Sequence, residues 1–221
     1  MKSYKETDII IRNEGAGDYR EVETVIRNAF WNIYAPGCSE HYLAHIMRGH
    51  RDFVEELDLV AELGGRIVGN VMYTRSRLID ESGQEKQILT FGPVSVLPEF
   101  QRQGIGRRLL EFSFDKAVEL GYDAIVIFGS PGNYVSMGFK SCKRFNVCLG
   151  NGVFPSLMLV KELKEGVFDG RRWFYHESLV YNVNEKEAER FDREFEEKER
   201  RVEPCQEEFY IYSHSIIRDL G

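Results

Sequence analysis

The hydrophobic pattern of the first fifty residues predicts one short strand and two helices. The apolar run within Asp8–Arg12 is typical of a strand, and Asp18 with Glu21 is typical of a helix N-cap and its capping-box partner. Apolar side chains then recur at helical spacing and define one core-facing side, formed by Val22, Val25, Ile26, Ala29 and Phe30. A second helix is predicted over Glu40–Met47, after the break at Pro36-Gly37.

The middle of the chain is dominated by strand-like segments. Leu59–Leu63 and Arg66–Thr74 are rich in apolar and β-branched residues, and Gly64-Gly65 between them predicts a two-residue hairpin turn. A further turn at Glu81–Gly83 leads to another apolar segment, Ile88–Val96. We therefore expect three strands to follow the two helices.

A helix and further strands complete the first three quarters of the chain. Helical spacing begins at Arg107 and continues to about Leu120, and Asp123–Phe128 is a short β-branched run typical of a buried strand. Two more strands are predicted over Phe139–Leu149 and Ser156–Leu163. The predicted order is one strand, two helices, three strands, a helix and three strands.

The residues after Leu163 have a different character. Two short extended segments are predicted at 171–175 and 178–183. Asn184 can cap a mostly charged helix from Glu185 to about Arg200, with Phe191 and Phe195 as its apolar stripe. The last stretch, residues 207–217, is again aromatic and apolar, so we expect it to pack back on the rest of the protein.

Composition and charge restrict the classes of function. A chain of 221 residues with 43% hydrophobic content suits one large domain, or one domain with an extension. The net charge of −7 argues against a nucleic-acid surface and suits attraction of a cationic amine. No apolar stretch is long enough to span a membrane, and Met1–Asp8 does not resemble a secretory leader. Four scattered cysteines without metal-site spacing suggest reduced thiols, so we expect a cytoplasmic protein without a bound metal.

The segment 101–106, Gln-Arg-Gln-Gly-Ile-Gly, predicts a site for an anion. It joins a strand to a helix, so free backbone N–H groups and the positive end of a helix dipole lie together there. Gly104 and Gly106 let a ligand approach the backbone closely. Arg102, Arg107 and Arg108 add positive charge, and we therefore expect a phosphorylated ligand.

The motif narrows the kind of phosphate ligand. A dinucleotide fingerprint would require glycine where Leu109 stands, and a P-loop would require a Gly-Lys-Ser/Thr sequence that is absent. What remains is Gln-x-x-Gly-x-Gly after a strand that contains Gly92-Pro93-Val94-Ser95-Val96. This arrangement resembles the acyl-CoA pyrophosphate loop of the GNAT superfamily of N-acetyltransferases.

A second segment resembles the same superfamily. Tyr134 to Phe139 reads Tyr-x-x-x-Gly-Phe, similar to the GNAT segment whose tyrosine lies beside the CoA sulfur. The Gly129–Gly132 loop before it departs from members that have a longer helix there, although a subset of GNAT proteins shares it. Pro93, which is unusual in a central strand, suits the bulged and splayed strand of GNAT proteins. Taken alone, a half-buried loop tyrosine and a simple edge-strand bulge explain the same residues.

The resemblance covers about Asp8–Leu163 and implies a fold, a cofactor and a reaction. It implies an α/β (α+β) GNAT-like fold with a central mixed, mostly antiparallel sheet, a splayed central strand pair and flanking helices. We expect a GNAT-like domain at residues 8–163 and a C-terminal extension packed on it at 164–221. The implied reaction moves acetyl from acetyl-CoA, the co-substrate, to a primary amine of a small molecule or peptide. The residues implied to bind acetyl-CoA are Val94, Ser95, Val96, Gln101, Arg102, Gln103, Gly104, Ile105, Gly106, Arg107 and Asn133.

The resemblance also assigns chemistry to individual groups. Tyr134 is the candidate general acid, because a phenol with a pKa near 10 can protonate a departing thiolate whose thiol has a pKa near 8.5. A backbone N–H near Val94 to Val96 would polarise the thioester carbonyl. Many GNAT enzymes carry a glutamate base near the position of Gly92, where this chain has no acid.

Other candidates for the base and for the acceptor site stay open. Glu62 could reach the site through water, or could be an outward-facing hairpin carboxylate. His41 and His45 lie four residues apart on the second helix, where a solvent-facing or substrate-lining role is favoured over a metal pair. Residues 207–217 are expected either to wall the acceptor pocket or to form a homodimer contact.

The missing base leaves a second class of function open. The chain is either an N-acetyltransferase or a non-catalytic module that binds or senses acyl-CoA. Both predict CoA binding, and only the first predicts turnover that depends on Tyr134.

Overall fold

The elements of the protein follow the predicted order closely. The computed structural model describes residues 9–218. The helices are α1 (Tyr19–Phe30), α2 (Glu40–Met47), α3 (Ile105–Glu119), α4 (Pro131–Tyr134), α5 (Glu185–Asp192) and α6 (Pro204–Ser213). The strands are β1 (Ile9–Asn13), β2 (Leu59–Leu63), β3 (Arg66–Asp80), β4 (Glu85–Val96), β5 (Ala124–Phe128), β6 (Lys140–Ser141), β7 (Val147–Cys148), β8 (Met158–Glu162) and β9 (Trp173–His176). Asp8, which the sequence includes in the first strand, lies outside the described residues.

One mixed sheet organises the described part of the chain. Its strand order is β1-β2-β3-β4-β5-β8-β6, and β9 pairs with both β3 and β7. The β4–β5 and β7–β9 pairs are parallel, and the other pairs are antiparallel. The predicted fold class, a mostly antiparallel sheet with flanking helices, is confirmed. Within residues 9–218, no helix combines the length and apolar character needed to cross a bilayer.

Both faces of the sheet are covered, and strand β5 shows why. Its side chains alternate between faces: Ile125 and Ile127 join a core shared with α1, α2 and α3, whereas Ala124 and Val126 join a second core. That second core is completed by Trp173 and Tyr175 on β9 and by other residues late in the chain. A strand buried on both faces carries a continuous apolar run, which is the signal that predicted β5.

The start of helix α1 is placed correctly, but the predicted capping box is wrong. The Asp18 carboxylate accepts hydrogen bonds from the backbone N–H of Gly15 (2.8 Å) and from Arg12, and it does not cap its own helix. The Glu21 carboxylate instead accepts from the backbone N–H of Ile67 at 3.0 Å. The two acids tie α1 to β1 and β3, contacts between distant residues that a local motif cannot reveal.

The predicted strand over Phe139–Leu149 is interrupted. Cys142–Phe145 forms a 3₁₀ turn, and a backbone N–H at its start donates to the Ser141 hydroxyl. Asn146, which follows the turn, adopts a left-handed conformation with φ of 54°. The predicted strand is therefore divided into two short strands, and β6 pairs with β8 while β7 pairs with β9.

Residues after 163 contribute a strand and two helices. Strand β9 pairs with Arg77–Asp80 of β3, beyond the end of its pairing with β2, so β3 runs longer than predicted. The segment predicted to be extended at 178–183 contains a 3₁₀ turn at Leu179–Tyr181. Helix α5 begins after the Asn184 cap as predicted, but it ends at Asp192 instead of Arg200.

Tertiary contacts explain the early end of α5. Arg27 donates to Asp192 at 2.6 Å, and the guanidinium of Arg20 lies 3.5 Å from the centre of the Phe195 ring. Continuing the helix would carry Phe195 away from that position on α1. The charge pattern along 185–200 therefore predicts a longer helix than the packing permits.

The final segment, predicted to pack back, forms α6 and is attached at both of its ends. The side chain of Gln206 donates to the backbone oxygen of Asn32 at 3.1 Å, and Ile216 forms a β-bridge with Pro155. The Phe209 ring lies 4.4 Å from the Tyr34 ring. The expected burial is not seen in α6 itself, none of whose residues is buried.

Candidate active site

A cleft opens where strands β4 and β5 diverge. It is lined by most of the predicted site residues that precede or follow the glycine loop. Its volume is about 360 Å³. Its lining residues are Ala29, Phe30, Ile33, Tyr34, Glu40, Leu43, Phe91, Gly92, Pro93, Val94, Ser95, Val96, Gln101, Phe128, Asn133 and Tyr134. Larger clefts elsewhere, including one beside Trp31 and Cys205 and one beside Arg75 and His176, contain neither predicted motif.

The divergence of the two strands is visible in their pairing. Within residues 9–218, Leu89 with Ile125 is the one registered pair that joins β4 to β5. The remainder of β4 pairs with β3, and the backbone N–H of Leu97 donates to the oxygen of Val68 at 2.9 Å. Because hydrogen-bonded and non-bonded pairs alternate in antiparallel strands, Val94 and Val96 direct their backbone groups away from β3. Their N–H groups therefore face the gap.

A bulge lies beside this gap. The β3–β4 register passes from Val71 opposite Val94 to Tyr73 opposite Phe91, so one residue of β3 faces the two residues Gly92-Pro93. The proline lies where the ladder is already irregular, as its place in the sequence predicts. The Tyr181 hydroxyl donates to the backbone oxygen of Gly92 at 3.4 Å, which brings the C-terminal part of the chain to the back of the bulge.

The glycine loop presents the start of α3 without a side-chain cap. Gly104 is the N-cap residue and has φ of 83°, a left-handed conformation that glycine adopts readily. No side chain caps the helix, so the N–H groups of its first turn point toward solvent beyond the loop. A Cβ at Gly106 would lie 3.5 Å from the Val96 side chain, so the helix start and β4 are in close contact.

Polar side chains around the loop form hydrogen bonds with neighbouring groups of the protein. Gln101 donates from Nε2 to the backbone oxygen of Val96 at 3.0 Å, and Gln103 donates to that of Glu99 at 3.1 Å. Arg107 donates to the hydroxyl of Ser136 at 2.9 Å, linking the helix start to the segment after Tyr134. Arg102 is exposed and has φ of 62°. The Ser95 side chain, by contrast, is buried and donates to Asn70.

Tyr134 lies at the end of the short helix α4 and is packed into the cleft wall. Its ring lies 5.7 Å from the rings of both Phe91 and Phe139. A Cβ built on Gly129 would lie 2.5 Å from the Tyr134 ring, so glycine is required there for the ring to approach. Burial raises the pKa of the Tyr134 hydroxyl above its ordinary value near 10, and the nearby Tyr34 raises it further. The phenol is therefore protonated at neutral pH.

Tyr34 and Glu40 also line the cleft, although neither belongs to a motif that the sequence pattern indicates. Tyr34 lies in the loop after α1, and Glu40 is the first residue of α2. Burial raises the pKa of the Glu40 carboxyl, although the backbone N–H groups of Glu40 and Ser39 oppose the shift. Partial burial and the charge of Glu40 raise the pKa of Tyr34. Glu40 could have been identified from the sequence, because it is an acidic residue at the start of a helix expected to border the acceptor site.

The other candidates for acid–base chemistry lie elsewhere. Glu62 accepts a hydrogen bond from Arg12 at 2.9 Å and does not line the cleft, which agrees with an outward-facing hairpin carboxylate. His45 contacts Glu23 at 3.0 Å. His41 points away from the cleft, and its Nε2 lies 3.2 Å from Asp192.

The expected solvent-facing or substrate-lining role of His41 is wrong. Its side chain is fully buried, with the rings of Phe191 and Phe195 at 5.5 and 5.0 Å. Burial lowers the pKa of His41 to about 4, against the opposing charge of Asp192. Its position in the second helix predicted that its side chain would line the cleft. The packing of α5 on that helix buries the side chain instead.

Comparison with known proteins supports the family suggested by this geometry. "Uncharacterized N-acetyltransferase YhbS" from Escherichia coli (strain K12) is 29% identical over 133 residues, which are 60% of this chain and 74% of that protein. The crystal structure of Escherichia coli YhbS in complex with CoA has a TM-score of 0.69 and 22% identity, and the alignment covers 83% of this chain and 97% of that one. A GNAT family acetyltransferase from Brucella melitensis, in complex with acetyl-CoA, has a TM-score of 0.62 and 23% identity over 78% of this chain and 97% of that one.

These structural similarities establish the fold, and the match to a family profile establishes the family to which the chain belongs. The profile of the acetyltransferase (GNAT) family matches residues 26–140, more than half of the 221 residues. The match includes the splayed strand, the glycine loop and the tyrosine segment. The chain belongs to the GNAT family of N-acetyltransferases and is an acyltransferase enzyme.

Proposed function

We propose that the protein transfers acetyl from acetyl-CoA to a primary amine of a small molecule or peptide, with Tyr134 as general acid. The observation that carries the proposal is the cleft between β4 and β5. Val94 and Val96, whose N–H groups are directed away from β3, line this cleft together with Tyr134. The geometry supports direct transfer because an acyl group in the gap would contact both a hydrogen-bond donor and a proton donor.

The glycine loop suits the pyrophosphate of acetyl-CoA. The uncapped first turn of α3 offers backbone donors and the positive end of the helix dipole. Gly104 leaves open space where a side chain would lie, and Arg102 and Arg107 supply positive charge beside it. These donors match a phosphorylated ligand without any metal. Structures of GNAT relatives from Escherichia coli and Brucella melitensis contain CoA and acetyl-CoA, respectively, which supports the proposal.

The β4 edge suits the remainder of the ligand. The N–H groups of Val94 and Val96 face the gap and can pair with the amides of an extended pantetheine arm, as a further strand would. One of them can donate to the thioester oxygen and stabilise the negative charge that develops there. Asn133 and Gln101 line the same part of the cleft and complete the proposed binding surface.

Tyr134 supplies the proton for the leaving sulfur. Its ring position is fixed by Phe91 and Phe139, so the hydroxyl has little freedom to move away. Burial raises the pKa of the phenol, but a thiolate in the same cleft is penalised by the same desolvation. The proton transfer from phenol to thiolate therefore stays close to the modest cost expected from their ordinary pKa values.

Gly104→Val tests the proposed pyrophosphate site. Acetyl-CoA at about 100 times its Kd should stabilise the native protein by about 2.7 kcal/mol, seen as an increase in Tm. The variant should lose this increase, because valine at φ of 83° distorts the loop and covers the N–H groups. Gly106→Val should act in the same direction.

A matched glycine controls for backbone strain. Gly83 has φ of 86° and open space around its missing Cβ, but it lies in the β3–β4 turn. Gly83→Val should lower the Tm of the free protein and leave the acetyl-CoA shift unchanged. A wild-type shift in Gly104→Val would remove the assignment of the loop to pyrophosphate.

A further inference from the structure

The acceptor end of the cleft is formed by α1, α2 and the loop between them. Its lining there is apolar or aromatic at Ala29, Phe30, Ile33, Tyr34 and Leu43. Glu40 is the only charged residue among all sixteen that line the cleft. A surface of this composition favours a ligand with an apolar skeleton and one positive charge.

Glu40 is held in place without being neutralised. Its carboxylate accepts a hydrogen bond from the backbone N–H of Ser39 at 3.0 Å. Across residues 9–218, no Lys, Arg or His side chain forms an ion pair with it, whereas Glu14, Glu23 and Asp192 are each paired with arginine. A half-buried carboxylate without a cation is costly unless a ligand supplies one.

Glu40 and the proposed general acid line the same cleft. Tyr34 lines it as well, and burial together with the charge of Glu40 raises the pKa of the Tyr34 hydroxyl. An amine beside Tyr34 could contact Glu40 while its nitrogen faces the acyl group held next to Tyr134.

We propose that Glu40 binds the ammonium group of the acceptor and accepts its proton, and that the acceptor is a primary amine on an apolar carbon skeleton. The inference rests on the proposed acetyl transfer. The ammonium gives one proton to the Glu40 carboxylate, which leaves a neutral amine whose lone pair forms the new C–N bond as the C–S bond breaks. The sulfur takes the Tyr134 proton, Tyr134 regains one from the new amide nitrogen, and Glu40 releases its proton to water.

This assignment gives the missing base a position that the sequence did not indicate. The family's usual carboxylate near Gly92 is absent, and Glu40 reaches the cleft from α2 instead.

The apolar wall also predicts selectivity. Burying several methylene groups or a ring against Phe30 and Leu43 should favour phenethylamine and hexylamine over ethanolamine by about tenfold or more in kcat/KM. Taurine, whose sulfonate would face the apolar wall and Glu40, should not react.

Glu40→Gln tests the inference. With phenethylamine and acetyl-CoA at pH 7, the variant should lose about 10²-fold or more in kcat/KM, as expected for removal of a general base. The kcat/KM of the wild type should fall on the acid side as the carboxylate becomes protonated, and the variant should lack this decrease. Glu40→Asp, which keeps the charge, should recover part of the activity. Glu187→Gln, an exposed acid on α5, should behave as the wild type.

The outcomes separate this inference from the proposed function. The acetyl-CoA thermal shift should be intact in Glu40→Gln, because the substitution leaves every residue proposed to bind acetyl-CoA unchanged. Transfer by the wild type combined with an unchanged rate and pH profile in Glu40→Gln would overturn the role of Glu40 alone. A preference for ethanolamine or taurine would overturn the apolar acceptor. No acetylation of any of the four amines by the wild type would contradict the proposed function as well.

Discussion

Tyr134→Phe should lower kcat by roughly 10²- to 10⁴-fold, the usual contribution of a general acid, and leave acetyl-CoA binding unchanged. The substitution removes only the hydroxyl, so the contacts with Phe91 and Phe139 and the approach to Gly129 are preserved. The departing sulfur would then leave as an unprotonated thiolate or wait for a proton from water. Release of free thiol with phenethylamine as acceptor measures the effect across the pH range.

Two controls make the result specific. Tyr122→Phe alters a partly buried tyrosine that does not line the cleft, and it should keep wild-type turnover. The acetyl-CoA thermal shift of Tyr134→Phe should equal that of the wild type. Unchanged turnover of Tyr134→Phe at every pH would assign Tyr134 to structure and remove the proposed acid.

Asp192→Ala should lower the free energy of unfolding by about 3 kcal/mol or more. Asp192 accepts a hydrogen bond from Arg27 at 2.6 Å, and the Arg27 side chain is 4% exposed. Removing the carboxylate leaves that guanidinium buried without its counter-charge, and it also removes the group beside His41. Urea unfolding midpoints of the wild type and the variant measure the loss.

A surface pair supplies the matched control. Arg20 and Glu194 are 3.5 Å apart with exposed side chains, and Glu194→Ala should cost less than about 1 kcal/mol. Equal effects of the two substitutions would show that Asp192 does not hold α5 against α1 and α2. The separation of residues 8–163 from an extension at 164–221 stays a prediction. Under that division, the ion pair of Asp192 with Arg27 links the two parts.

Local signals in the sequence were sufficient to predict most of the elements of the fold. Helix α2 begins and ends where predicted, and the Gly64-Gly65 turn joins β2 to β3 as predicted. The predicted bulge at Gly92-Pro93 is present, because proline in a central strand has few other solutions. These features depend on periodicity, turn residues and missing backbone donors, all of which a short segment contains.

Features that depend on distant contacts were not predicted. The end of α5 is set by Arg20 and Arg27 of α1, which the charge pattern of 185–200 does not contain. The early prediction for His41 failed because the partner that buries it, α5, lies far along the chain. Glu40 becomes a cleft residue only when α2 is placed beside the splayed strands. Motifs thus indicated the proposed site of the acyl donor, and tertiary packing was needed to propose an acceptor side.

The most direct test of the account is the stoichiometry of the reaction. The wild-type protein is incubated with acetyl-CoA and phenethylamine, and N-acetylated amine and free CoA are quantified in the same sample by mass spectrometry. Direct transfer predicts that the two products form in equal amounts, at a rate proportional to enzyme, and that neither forms with Tyr134→Phe at a comparable rate. Acetyl-CoA binding with no acetylated amine, or CoA release without an equal amount of acetylated amine, would contradict it.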